Sequence, residues 1–155
     1  MKIFDVIDQL IANLPLTPEK VGKALDARLV RDKESDTAAI AAYALPETVK
    51  AGPYESVDLR MPDEDIGDGG VFLSVTLRSD GGVDQAAISE RYGTDFHAEI
   101  PSPRYKPGTV PVYLTYERDW GSLAFGVTAD AERKLVRFIL NARAETPADG
   151  EDEDE

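Results

Sequence analysis

The sequence predicts an α+β fold, in which an N-terminal helical hairpin and one short helix pack on an antiparallel β-sheet that ends in a C-terminal hairpin or meander. Three observations support this prediction. Residues 112–127 alternate apolar and polar side chains on both sides of a glycine-containing turn, which is typical of a β-hairpin. Apolar residues near the N-terminus recur at helical spacing. Residues 54–61 and 71–77 have the composition of strands.

Two short helices are predicted at the N-terminus, joined by a few residues. The first ends before Pro15, since a proline disfavours helical conformation in the residue that precedes it. The second begins at Pro18, with Thr17 as N-cap and Glu19 in the first turn. The predicted inward faces are Phe4, Ile7, Ile11 and Leu14 in the first helix, and Val21, Ala24, Leu25 and Leu29 in the second.

The middle of the chain is predicted to supply several strands. Residues 31–36 are polar and are predicted to form a loop. Residues 37–45 fit a strand or a short helix, because they are rich in alanine, and we favour the strand. Residues 54–61 alternate in the manner of an edge-like amphipathic strand, whereas residues 71–77 are almost wholly apolar or β-branched, as expected of a central strand.

The C-terminal half contains one further helix and the predicted hairpin. Asp84 is predicted to cap a short helix that runs through Arg91 and stops at Gly93. Residues 94–111 contain four prolines and are predicted to be irregular coil. Residues 135–143 fit both a strand and a helix, and we favour a third antiparallel strand that completes a meander.

The length, cysteine content and charge of the chain limit the functions that it can have. The 155 residues suit one domain, predicted at residues 1–144, and the lack of cysteine excludes disulfides and thiolate chemistry. Acidic residues outnumber basic ones by 30 to 17, for a net charge of −13. Residues 145–155 hold seven of these carboxylates and are predicted to be a disordered acidic tail. The charge disfavours nucleic acid and anionic membranes as partners and favours a basic protein.

The expected compartment is the cytoplasm. No apolar run is long enough to cross a bilayer, and Asp5 and Asp8 interrupt the apolar N-terminal segment that resembles a signal sequence. If a signal peptide has been removed, the expected compartment is the periplasm.

Few residues are candidates for catalysis or metal binding. His97 is the sole histidine, and no nucleophile elbow, P-loop, zinc-protease or dinucleotide-binding motif occurs. One histidine and no cysteine disfavour a transition-metal site. We therefore predict a protein that is not an enzyme and that uses no cofactor and no metal.

A cluster of carboxylates is the first candidate for contact with a partner. Asp63, Glu64, Asp65 and Asp68 form the densest acidic group outside the tail. Their register does not match the twelve-residue calcium loop of an EF-hand. They are interpreted as a solvated polar loop, as a contact surface for a basic partner or as a calcium site of another kind.

The tip of the predicted hairpin is the second candidate. Asp119 and Trp120 precede Gly121 there, and Tyr105 lies in the proline-rich segment together with Arg104. Trp120 either folds back onto the core or projects as an anchor for a partner. Tryptophan and tyrosine are enriched among the residues that dominate binding energy at protein interfaces.

The order of the predicted elements resembles two families of small two-layer α+β units: the β-lactamase-inhibitor-like folds and the folds of outer-membrane-assembly lipoproteins. The stretch Val83 to Gly93, VDQAAISERYG, is similar to their turn, helix and glycine step. In those families a helical pair packs on a curved antiparallel sheet. The chain departs from the lipoproteins in lacking a lipidation cysteine.

The overall type also resembles the immunity proteins encoded beside bacterial secreted toxins, which are small, often acidic and devoid of catalytic motifs. This resemblance implies a protein that neutralises a basic toxin or effector domain by occluding its active site. The predicted carboxylates would steer encounter, and Trp120 or Tyr105 would anchor the contact. The alternatives are a secretion or assembly adaptor that chaperones an effector, a small-ligand-binding module, and an enzyme that relies on carboxylates and tyrosines.

Overall fold

The computed structural model describes residues 3–14, 16–31, 40–44, 54–62, 70–78, 83–99 and 111–142. Within these residues it contains three helices and eight strands, and the fold is α+β, as predicted. The helices are α1 (Ile3–Ala12), α2 (Pro18–Leu25) and α3 (Gln85–Tyr92). The strands are β1 (Val30–Arg31), β2 (Ile40–Ala44), β3 (Tyr54–Pro62), β4 (Val71–Leu77), β5 (His97–Glu99), β6 (Val112–Arg118), β7 (Gly121–Val127) and β8 (Leu135–Ala142).

The eight described strands form one antiparallel sheet in the order β1-β2-β3-β4-β8-β7-β6-β5. Strands β1 to β4 form one meander and β5 to β8 form a second, and the pairing of β4 with β8 joins them. Helices α1 and α2 precede the first meander, and α3 precedes the second. The chain therefore runs twice through a helix-then-four-strand unit, and the predicted C-terminal meander is confirmed.

One face of the sheet and the three described helices enclose the hydrophobic core. In β4 the buried residues Leu73 and Val75 alternate with partly exposed ones, as expected of a strand covered on one side. Leu10 of α1, Leu25 of α2 and Ile88 of α3 belong to the same buried cluster as the inward residues of the strands. Burial of this shared apolar surface is the main force that holds the helices on the sheet.

The helix ends follow the predicted capping residues. The Lys20 amide donates to Thr17 Oγ1 at 3.1 Å, so Thr17 caps α2. The Ala87 amide donates to Asp84 Oδ1 at 3.0 Å, and α3 stops where Gly93 takes a φ of +96°. Both predicted caps and the predicted glycine stop are confirmed.

The second helix is shorter than predicted. It ends at Leu25, because Asp26 adopts the left-handed conformation (φ 55°, ψ 48°) and the Ala27 amide donates to the Gly22 carbonyl at 2.8 Å. Leu29 therefore lies outside the helix, and the prediction that it belongs to the inward face of this helix is wrong. Leu29 nonetheless packs against the core from the segment that follows.

Two strand predictions are confirmed and two local predictions are wrong. The alanine-rich segment is strand β2, and residues 135–142 are strand β8. Strand β3 lies between β2 and β4 and is not an edge. It alternates because the described helices cover only one face of the sheet, a condition that interior strands share with edge strands. Arg31, predicted in a loop, belongs to strand β1, and residues 32–36 lie outside the described residues.

The prediction of coil over residues 94–111 is also wrong in part. His97–Glu99 forms edge strand β5 and pairs with β6. All four prolines behind the prediction lie at position 101 or later, so they do not prevent pairing before that point. Residues 100–110 lie outside the described residues.

Candidate binding surface

Most of the predicted contact residues lie outside the described residues. These are Asp63, Glu64, Asp65, Asp68 and Tyr105. The structure places Asp119 and Trp120 next to each other in the turn between β6 and β7, and it places His97 on the exposed edge strand β5.

The hairpin turn holds Trp120 against the body of the protein. Asp119 and Trp120 connect Arg118 to Gly121, which are the last paired residues of the two strands. Asp119 is exposed, whereas Trp120 is partly buried and packs against the hydrophobic core. The indole therefore contributes to the core and leaves only part of its surface accessible to a partner.

The second face of the sheet is a larger candidate surface. We call it the open face and define it by the strand residues that alternate with the core residues. Its members on the interior strands include Asp58, Arg60, Phe72, Ser74, Thr76, Tyr113, Gly126, Arg137 and Ile139. Phe72 and Ile139 are partly buried, yet neither belongs to the hydrophobic core or packs against it. The described helices lie on the opposite face.

Arg137 on β8 lies near the middle of the open face and is held by two hydroxyls. Its Nε donates to Thr76 Oγ1 of β4 at 3.0 Å, and its Nη1 donates to the hydroxyl of Tyr113 at 3.3 Å. Tyr113 belongs to β6 and reaches Arg137 across Gly126 of β7. A Cβ atom at Gly126 would lie 3.0 Å from Tyr113 Cε1, so the absence of a side chain there leaves room for the tyrosine ring.

The two arginines of the open face differ in their charge balance. Arg60 Nε donates to both carboxylate oxygens of Asp58 at 3.2 Å, so this charge is compensated within the face. Among the described residues, Arg137 has neutral hydroxyl partners and forms no ion pair. Within the described part of the open face, Arg137 is thus a guanidinium on a central strand without a carboxylate partner.

This group of three residues could not be recognised from the sequence. Thr76, Tyr113 and Arg137 each occupy an outward position in a predicted strand, which is where polar side chains are ordinary. The signal that identifies them is their adjacency across β4, β8 and β6. That adjacency depends on the pairing of β4 with β8, which brings together distant parts of the sequence.

A second polar group lies on the helical side and connects α1 to α3. Arg91 forms an ion pair with Asp8, and the Tyr92 hydroxyl donates to Asp8 Oδ1 at 3.0 Å. Burial, together with this hydrogen bond, raises the pKa of Tyr92. The Tyr116 hydroxyl donates to the Gly93 carbonyl at 2.8 Å, which ties the end of α3 to the sheet. These contacts fix the positions of the helices.

A surface depression of about 750 Å³ lies beside α2 and the segment that follows it. Its lining includes the acidic Glu19 and Asp26 and the basic Lys23 and Arg28, all of them exposed. These opposite charges are exposed to solvent, where salt screens them.

Tyr54 gives a testable dependence of stability on pH. Burial, and secondarily the Asp26 carboxylate, raises the pKa of Tyr54 to about 12 from its ordinary value of 10.0. Since the folded-state pKa lies above the unfolded one, the stabilisation is complete below pH 10 and is lost as the pH rises toward 12. We expect the free energy of unfolding to fall by up to about 1.4 kcal/mol per pH unit for this residue.

Urea unfolding of the wild type and of Tyr54→Phe between pH 8 and 11.5 measures this loss. The phenylalanine variant should show the shallower decline, because it lacks the titrating hydroxyl. Equal slopes for the two proteins would exclude Tyr54 as a source of alkaline instability.

In the part of the chain that the structure describes, no group of three or more histidine, aspartate or glutamate residues is placed to hold a metal ion. No helix in that part has the length and apolarity needed to cross a membrane. Comparison of the chain with models of protein families, with characterised proteins and with solved structures found no match.

Proposed function

We propose that this protein acts by binding another polypeptide, without catalysing a reaction, and that it is a cytoplasmic immunity protein that covers the active site of a bacterial secreted toxin. The observation that supports the proposal most is the open face. Its partly exposed side chains combine apolar groups (Phe72, Ile139) with polar and charged ones (Arg60, Arg137). Mixed surfaces of this kind are common where proteins form non-obligate complexes.

The extent of the open face suits such a complex. Strands in a sheet lie about 4.8 Å apart, and a seven-residue strand is about 23 Å long. The six longer described strands therefore present a face of roughly 600 to 700 Å². A standard interface buries about 800 Å² of each partner, so the face and its neighbouring loops are sufficient for a specific contact.

The charge of the chain supports a basic partner. With a net charge of −13, the protein attracts a cationic surface over long range and repels polyanions. In this proposal Asp63, Glu64, Asp65, Asp68 and Asp119 accelerate encounter with the toxin. Trp120 and Tyr105 would add aromatic contacts to the complex once it has formed.

Co-expression with the product of the neighbouring reading frame tests the function. We expect that product to arrest growth of a bacterial host, and co-expression of this protein to restore growth. The purified pair should form a stoichiometric complex in which the toxin has lost its activity. Unrelieved growth arrest would refute the proposal, and a complex with full toxin activity would favour an adaptor instead.

Rates of association test the role of the carboxylates. We expect the association rate constant of the purified pair to fall by about tenfold or more between low and high salt, with little change in dissociation. The double variant Asp63→Asn/Asp65→Asn should associate more slowly than Glu19→Gln/Glu90→Gln, which changes the net charge equally elsewhere. Equal association rates for the two variants would show that the acidic cluster does not accelerate the encounter.

A further inference from the structure

The Arg137 side chain is held in one place before any ligand binds. Its two hydroxyl partners come from different strands, Thr76 on β4 and Tyr113 on β6, on either side of β8. The Tyr113 ring lies against Gly126 and is therefore restrained as well. A long side chain with several rotatable bonds, such as arginine, loses less conformational entropy on binding when its conformation is already fixed.

The guanidinium retains donors for a ligand. An arginine has five N–H groups, and two of those in Arg137 are used by the hydroxyls of Thr76 and Tyr113. Three remain, which is enough for a bidentate pair with a carboxylate. The partly exposed position of Arg137 on the open face makes the side chain accessible.

The overall charge limits the kind of anion that can approach. A chain with a net charge of −13 repels nucleic acids and other extended polyanions, and that repulsion outweighs the attraction of one arginine. A single carboxylate on an otherwise basic polypeptide meets no such barrier. The basic residues around that carboxylate are attracted to the negative charge of this protein, and the carboxylate itself can then contact the Arg137 guanidinium.

We propose that Arg137, positioned by Thr76 and Tyr113, receives an aspartate or glutamate side chain of a partner polypeptide whose surrounding surface is basic. Ile139, the next residue of β8 on the same face, supplies an apolar contact beside the pair, and Phe72 lies further along the open face. This inference rests on the proposed function in that the occupant is a polypeptide, and it holds equally for a toxin, an effector or another protein. It makes the centre of the open face the main source of binding energy.

Selection of displayed random peptides on the folded full-length protein tests the site and does not require the partner to be identified. The probe is the peptide library, and the Arg137→Gln variant is screened in parallel. We expect the wild type to enrich peptides that place an aspartate or glutamate among lysines and arginines. The variant should fail to enrich them.

Calorimetric titration of one enriched peptide then measures each contribution. Arg137→Gln should weaken binding roughly 10- to 100-fold, and Tyr113→Phe, which removes one hydroxyl and keeps the ring, roughly 2- to 10-fold. The control Arg28→Gln removes the same charge from the segment that follows α2 and should leave the dissociation constant within about twofold. Circular dichroism and thermal melts check that each variant is folded, and Tyr113→Phe tests the site even if Arg137→Gln does not fold.

The outcomes separate this inference from the proposed function. Peptides that bind Arg137→Gln as tightly as the wild type, the absence of any enriched peptide with a carboxylate, or Arg137-dependent binding of an oligonucleotide would each overturn the site. Toxin neutralisation that persists in Arg137→Gln would place the inhibitory contact elsewhere and leave the immunity function intact. If peptide binding depends on Arg137 but the protein neutralises no toxin, the Arg137 site is supported and the proposed immunity function is refuted.

Discussion

Replacement of Phe125 by alanine should lower the free energy of unfolding by about 3 to 5 kcal/mol. Phe125 on β7 is fully buried, with an exposed fraction of 0%. Its ring centre lies 6.4 Å from that of Phe4 on α1, 5.3 Å from that of Tyr92 on α3 and 6.0 Å from that of Tyr116 on β6. One side chain therefore contacts two helices and a neighbouring strand, and its removal weakens all three contacts.

The resulting cavity should not collapse easily. Tyr92 is held by its hydrogen bond to Asp8, and Tyr116 by its hydrogen bond to the Gly93 carbonyl, so neither ring can shift without losing that bond. Urea unfolding followed by Trp120 fluorescence measures the loss. Phe72→Ala is the matched control, because it removes the same atoms from the open face and should cost less than about 1.5 kcal/mol. Equal losses for the two variants would contradict the assignment of Phe125 to the core and Phe72 to the open face.

Replacement of Gly121 by alanine should cost about 3 kcal/mol or more, or prevent stable folding. Gly121 opens strand β7 with a φ of +147°, a conformation that other residues rarely adopt. A Cβ atom there would lie 2.0 Å from the carbonyl oxygen of Asn141 on β8. Because the obstructing atom belongs to the backbone, the added methyl group would separate the two strands where they begin to pair.

The variant Gly93→Ala distinguishes the two expected causes of the stability loss in Gly121→Ala, which are backbone strain and the clash with the Asn141 carbonyl oxygen. Gly93 also has a positive φ, +96°, but a Cβ atom there would meet nothing within 4 Å. Its replacement should therefore cost only backbone strain, about 1 to 3 kcal/mol. Chemical denaturation of both variants gives the comparison. A loss for Gly121→Ala no greater than that for Gly93→Ala would show that the strands can accommodate a methyl group at this position.

Much of the fold could be predicted because it depends on neighbours in sequence. The alternation over residues 112–127 predicts the hairpin of β6 and β7, since both strands and their turn lie within one short stretch. Thr17 and Asp84 predict helix starts for the same reason: a cap acts on amides two or three residues away. Local chemistry is sufficient for such features.

The candidate site could not be predicted in the same way. Alternation assigns Thr76, Tyr113 and Arg137 to an outward face, but it does not determine which strands are adjacent. Residues 71–77 also look almost wholly apolar, which conceals the fact that Phe72 lies on the opposite face from Leu73. Only the pairing of β4 with β8 brings Thr76 next to Arg137. That pairing depends on the packing of the whole core.

The order of the strands, in which the last strand of each meander pairs at the centre of the sheet, affects how the chain folds. Within each meander, paired strands follow one another in the chain with at most 12 residues between them, whereas the β4–β8 seam joins Leu73 to Leu140, which are far apart in the chain. Loop-closure entropy makes such remote contacts slow to form, so hairpin formation within each half should precede the zipping of the seam. Arg137 and Thr76 lie on opposite sides of that seam, and their hydrogen bond can form only when the last step brings the halves together.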